Sequence, residues 1–383
     1  MSQCTARFNE IASALGNFTC RDAPAVVHIR DPFALSNPTM PALELMMVTG
    51  AALALWWAVR RLRRDGDPTN VVLWFASIVY LLVTEIPLYF PNLFGIQDQI
   101  GVVFAHNVFT VQFLYERLPL YIVALYPSVT ILAFEIVRTL GVFRGLRTRR
   151  ILVGSVCVGL VHHCFYEVFD QLGPQLRWWA WNTQNPLNHP MFASVPMTSV
   201  VIFATLGPAV LTALVLLLVG RRVEAGERLS AANLLWRTLV AGALVPIGVA
   251  ILSIPSSLFG GSHPNTTAQA AVFIAELVAF AAIAVPGLIK ARRARRLEGG
   301  EPNLFVRIFA PLYLAVLVIC WLTALPAYFS AKGGLTNDGT PVGNVYYAAL
   351  CLALAVLWAS LASAGAAPRQ VGDATRTSSR QPA

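Results

Sequence analysis

The chain has 383 residues, of which 56% are hydrophobic and only 12% charged. Soluble domains are nearer a quarter charged, so too few charges exist to clothe a water-soluble core of this size. A formal net charge of +9 invites a nucleic-acid partner, but the basic residues fall in short clusters beside apolar runs. That is the pattern of membrane orientation, and no nucleic acid is expected to bind.

Residues 1–42 read as a mostly polar, exported segment. No basic stretch followed by a short apolar one occurs there, so no cleavable signal peptide is expected. Cys4 and Cys20 both lie in it. A disulfide is permitted in an exported segment, and the sequence leaves the pairing open. Asn17 and Asn265 begin N-x-T sequons on the same predicted side.

Nine runs follow that are long and apolar enough to cross a bilayer, which takes about 20 helical residues at about 1.5 Å each. They are 43–60, 70–90, 117–140, 150–170, 193–220, 233–256, 267–290, 304–329 and 344–365. The predicted fold is an all-α polytopic transmembrane helix bundle over 43–365. A tail, 366–383, rich in Ser, Thr, Arg and Pro, is expected to be disordered. The connectors after odd-numbered spans carry 22 basic residues and the opposite side 6. The positive-inside rule then places the N-terminus outside and the C-terminus in the cytoplasm of a multipass plasma-membrane protein.

An ionisable residue within a span is costly and marks a functional site by default. Span two carries Glu85 near its outer end, beside Pro87, which can bend the helix. The outer loop 91–116 holds Asp98, His106 and Glu116 and reads as a re-entrant or amphipathic cap. Span three carries Glu135 with Arg138 three residues on, read as an ion pair at the inner rim. Span four reads His162-His163-Cys164-Phe165-Tyr166-Glu167-Val168-Phe169-Asp170. The spacing puts His163, Glu167 and Asp170 on one helical face.

Three readings of that face are open. It is a polar network that holds helices together; it performs acid–base chemistry on a lipid-soluble substrate; or it binds metal, with ligands added by Glu85 and His106. No second ligand-bearing helix motif supports the last, and no metal or other cofactor is expected. In the catalytic reading Glu167 donates the proton, His163 is its partner, and Glu85 and Asp170 tune it.

The connector after span four reads Gly173-Pro174-Gln175-Leu176-Arg177-Trp178-Trp179-Ala180-Trp181-Asn182. Trp178, Trp179 and Trp181 form either an interfacial aromatic belt or a wall over an outward pocket, with Arg177 available to an anionic group. Pro196 suits the first turn of span five. Span seven carries Glu276 near mid-depth, a further candidate for substrate contact. Cys157, Cys164, Cys320 and Cys351 read as small packing residues. No Walker, GxSxG, GxGxxG or HExxH motif is present.

From Glu167 to Met197, the residues Glu167, Gly173, Trp179, Trp181, Pro190 and Pro196 resemble a region of the membrane-embedded carotenoid-biosynthesis proteins of the hydratase and cyclase type. The resemblance implies that Glu167 or Asp170 protonates a polyene double bond and that water or an internal alkene traps the cation. Across its length the chain resembles multipass membrane proteins of high-GC actinobacteria, which implies the architecture and no activity. The expected partners are membrane lipids and a lipophilic small molecule. The alternatives are a transporter or binding protein for a small lipophilic or anionic solute, and a structural subunit of a membrane complex.

Overall fold

The computed structural model describes residues 4–21, 23–31, 33, 35, 37–107, 111–261, 264–298 and 303–364. The predicted tail, 366–383, with Arg369, Arg376 and Arg380, lies outside the described residues. Among the described residues, nine helices are long and apolar enough to cross a membrane.

A short helix, α1 (Ala6–Gly16), comes first. Thr5 caps it, its hydroxyl accepting from the Phe8 amide at 3.2 Å, and Asn17 ends it in the left-handed conformation. A Cys4–Cys20 disulfide closes the segment around α1. The strand β1 (Val27–Ile29) leads to the spans α2 (Thr39–Asp65) and α3 (Thr69–Tyr89). The following loop supplies β2 (Phe104–His106), β3 (Val111–Phe113) and β4 (Leu118–Pro119). Next come α4 (Leu120–Thr139), α5 (Thr148–Asp170), the strand β5 (Trp179–Trp181) and α6 (Ser199–Glu224). The chain ends in α7 (Ala231–Leu252), α8 (Thr266–Glu298), α9 (Leu304–Phe329) and α10 (Val345–Ser363). Ser230, Asn303 and Asn344 cap α7, α9 and α10, each accepting from a backbone amide three residues on.

The core runs along α4 and α5, the two most enclosed spans. α4 is surrounded by α2, α3 and α5, and α5 by α4, α6, α8 and α10; α8 is the least enclosed. With lipid as solvent, close backbone approach holds helices together. Gly159 serves this on α5, since a Cβ there would lie 2.7 Å from the Thr205 carbonyl of α6.

Span five begins later than its apolar run. Residues Met191–Phe192 pair with Val195–Pro196 as a tight hairpin, so Pro196 sits in a strand and not in the first helical turn. α6 then opens as a π-helix over Ser199–Leu206. Pro208 bears on this. It has no N–H to offer the Ala204 carbonyl four residues back, and that carbonyl turns to another partner, described below.

Candidate functional site

The two-stranded pairing of β2 with β5 builds the roof of a cavity. The register is antiparallel, with Phe104 opposite Trp181, Ala105 opposite Ala180 and His106 opposite Trp179. Side chains alternate along a strand, so the four rings share one face and the two alanines share the other. The rings point down and line a cavity of about 630 Å³ between its walls, counting its open mouth. The alanines point up, where their small size lets α1 settle through Phe8, Ile11 and Ala12. Arg117 rivets this cap: it donates to the Tyr89 carbonyl, and its guanidinium stacks over Phe8 at 4.0 Å and Phe90 at 4.9 Å. Burial pushes the Arg117 pKa down to about 10, which leaves it charged at neutral pH.

The cavity walls come from α3 (Tyr80, Glu85), α4 (Ile122, Leu125, Tyr126, Thr130), α5 (His162, Tyr166, Phe169, Asp170) and α6 (Phe203, Pro208). Two carboxyls face this aromatic space. Glu85 accepts from the Tyr126 hydroxyl at 2.7 Å through one oxygen, and Asp170 accepts from the Ser199 hydroxyl at 2.7 Å. In each, the second oxygen is buried without a hydrogen-bond partner, as are the indole N–H groups of Trp179 and Trp181. An unsatisfied buried polar atom costs about 1–3 kcal/mol. Four around one apolar cavity suit a ligand that is mostly hydrocarbon and carries a polar function.

His162 is oriented by the freed carbonyl. Its Nδ1 donates to the Ala204 oxygen at 2.8 Å, so the neutral ring carries its lone pair on Nε2. The ring stacks on Tyr166 at 5.6 Å. His106 accepts from the Tyr89 hydroxyl at 3.2 Å through Nδ1. Burial pushes its pKa from 6.5 to about 3, and a bond to the Arg117 backbone only partly offsets this. Between about pH 6.5 and pH 3 the unfolded chain binds a proton here that the folded roof refuses, so stability falls as pH drops through that window. His106→Gln is expected to lose less Tm than the wild type between about pH 7 and about pH 4.5, measured by thermal unfolding in detergent. An equal loss in both proteins would refute a neutral buried imidazole.

The structure divides the residues that the sequence singled out. Glu85, Asp170, Trp179 and Trp181 meet at the cavity. His163 and Glu167 turn towards α10. Thr205 spends its proton on the Val200 carbonyl at 3.1 Å, so it accepts from His163 Nδ1 at 2.8 Å, and His163 Nε2 accepts from the Tyr347 hydroxyl at 2.5 Å. Glu167 accepts from Gln171 at 3.1 Å, and Gln171 accepts the Asn344 amide at 2.8 Å, fastening α5 to α10. Trp178 is fully buried behind the wall, stacked on Phe169 and donating to the Thr39 hydroxyl at 2.9 Å. Arg177 pairs with Asp338 at 2.9 Å, away from the cavity. The Thr336 hydroxyl and Arg177 hold Asp338 below the usual carboxylate range. Glu276 lies half-buried on α8 with neither oxygen hydrogen-bonded, and it does not line the cavity.

One helical arc explains the division. At about 100° per residue, His162, Tyr166 and Asp170 lie within about 80° of one another. His163 and Glu167 continue the same arc by about 60°, and the cavity takes only its first part. His162 and Tyr166 were therefore missed as wall residues, as was Tyr126 on α4, whereas His106, expected in a cap over the outer face, lies in the roof. The four-residue spacing of His162, Tyr166 and Asp170 was the available signal. Gly173 admits the roof, since a Cβ there would overlap the Trp179 indole. No group of three or more His, Cys, Asp or Glu side chains placed to hold a metal ion occurs among the described residues.

In comparisons with known proteins, no family model, no curated protein and no solved structure matches this chain. The resemblances read from the sequence draw no support from them.

Proposed function

We propose that this multipass membrane protein is an enzyme performing acid–base chemistry on an isoprenoid or other lipid. The pair Glu85 and Asp170 would carry the reaction, in the outer half of the plasma membrane by the charge bias of the connectors. One observation carries the reading: two carboxyls in one aromatic cavity, each with one oxygen held by a hydroxyl and the other without a partner. The likeness of Glu167–Met197 to carotenoid-biosynthesis proteins favours an isoprenoid.

The step balances without a co-reactant. The protonated Asp170 carboxyl gives its proton to one carbon of an alkene, whose π electrons form the new C–H bond. The neighbouring carbon becomes a cation, which the faces of Tyr126, Tyr166 and Trp179 stabilise. Glu85 takes a proton from the next carbon and those electrons restore a double bond, moved along the chain; where an internal alkene attacks the cation first, a ring closes, the charge moves to the alkene's other carbon, and Glu85 takes the proton beside it. Exchange with water then removes the proton from Glu85 and returns one to Asp170. Glu167 and His163 act from behind the wall by holding α5 and α10 in place. A protein that only binds such a ligand would use the same cavity and leave it unchanged.

The test is untargeted mass spectrometry of lipids and pigments from a deletion strain, complemented with the wild type, Asp170→Asn or Glu167→Gln. The deletion is expected to accumulate a precursor that the wild type and Glu167→Gln clear and Asp170→Asn does not. Identical profiles in the deletion and the wild type would overturn the proposal.

A further inference from the structure

At the opposite end of the bundle lies a second cavity of about 570 Å³, counting its open mouth. Five guanidiniums and one carboxylate line it: Arg60, Arg61 and Arg64 of α2, Arg138 of α4, Arg295 of α8, and Asp65. The spacing of Trp57, Arg60, Arg61 and Arg64 puts all four on one face of α2. Behind the lining residues Trp57, Arg138 and Asn303 lies Glu135, wholly buried, whose two oxygens are taken up by Trp57 Nε1, Asn70, Asn303 and Arg138 at 2.5–2.8 Å. It anchors Arg138, and both its oxygens are taken up by these donors.

Arginines that only orient a helix in the membrane extend into water at the rim. These converge. The Arg61 side chain is only 14% exposed, and its Nε is buried without a hydrogen-bond partner, although its terminal nitrogens meet Asp65 and Asp67. Arg60 lies against the rings of Trp56 and Trp57, 5.8 and 5.2 Å from their centroids, an arrangement that leaves its in-plane N–H edge available.

We propose that this cavity binds a phosphate group. A carboxylate offers two oxygens in one plane, whereas guanidiniums arriving from three helices suit the tetrahedral oxygens of a phosphate. The ligand is either a free phosphate compound or the headgroup of an anionic phospholipid, and the two sources separate by experiment.

The full chain is placed in nanodiscs of phosphatidylcholine alone and titrated with inorganic phosphate and pyrophosphate, read by tryptophan fluorescence and Tm. In a second arm the discs contain phosphatidylglycerol, and native mass spectrometry follows the lipids retained. Saturable binding is expected in one arm, which names the source. Arg60→Gln with Arg64→Gln is expected to weaken it by about tenfold or more. Arg149→Gln with Arg221→Gln, both exposed and outside the cavity, is expected to change it by less than about twofold. Arg60→Lys keeps the charge and loses the fork, and it is expected to fold and bind more weakly. Absence of saturable binding in both arms, equal weakening by the exposed pair, or wild-type affinity in Arg60→Lys would each overturn the proposal.

Discussion

Asp170→Asn and Glu85→Gln are each expected to slow turnover of the lipophilic substrate by about 10²–10⁴-fold, the usual worth of a positioned acid or base. The double variant is expected to fall no further than the slower single one. If one carboxyl delivers the proton and the other removes it, either loss stops the same cycle, and losses within a cycle do not multiply. Both substitutions nearly preserve shape, and the amide oxygen can still accept from Ser199 or Tyr126, so the fold is expected to persist. The measurement uses the purified protein in nanodiscs with total lipid extract in D₂O. A proton cycle predicts that one lipid species gains deuterium with the wild type and not with either variant. Multiplicative losses in the double variant would mean that the carboxyls act independently, and no deuterium uptake with the wild type would remove the cycle.

Glu135→Ala is expected to be the most destabilising single change in the bundle, by about 3–5 kcal/mol, because it leaves the charge of Arg138 without its counterion. Glu135 accepts five hydrogen bonds, from Arg138 twice and from Trp57, Asn70 and Asn303 once each. It thereby joins α2, α3, α4 and the cap of α9. Glu135→Gln does not rescue this, since its amide NH₂ would face donors and its single oxygen cannot accept from them all. Removing Arg138 as well is expected to recover part of the loss, because no buried charge is then stranded. Unfolding in mixed micelles, run as a double-mutant cycle, reads both effects. Equal stability of Glu135→Ala and the wild type would mean that water reaches the carboxylate and the network contributes little.

The bundle itself was legible. Each expected span lies within a few residues of a helix, because apolar length is imposed by the bilayer and each span satisfies its backbone internally. Helix starts at Ser230, Asn303 and Asn344 follow from side chains adjacent in sequence. The Glu135–Arg138 pair was also readable, being one turn apart on one helix. The fifth span was misplaced at its start, because an apolar hairpin over 191–196 reads like helix when only hydropathy is weighed.

The candidate site was legible only in outline. The sequence by itself determined that α5 carries an arc of His162, His163, Tyr166, Glu167 and Asp170, since helical period depends on nothing outside the helix. Only the tertiary structure decided where that arc is cut, because the cut depends on which neighbour covers each part: the cavity for His162 and Asp170, α10 for His163 and Glu167. The placing of Glu85 and Asp170 around one cavity and of Arg60 and Arg295 around another, and the pairing of β2 with β5, join residues far apart in the chain. Such pairings are set by the packing of whole helices and leave no mark in any local run of residues.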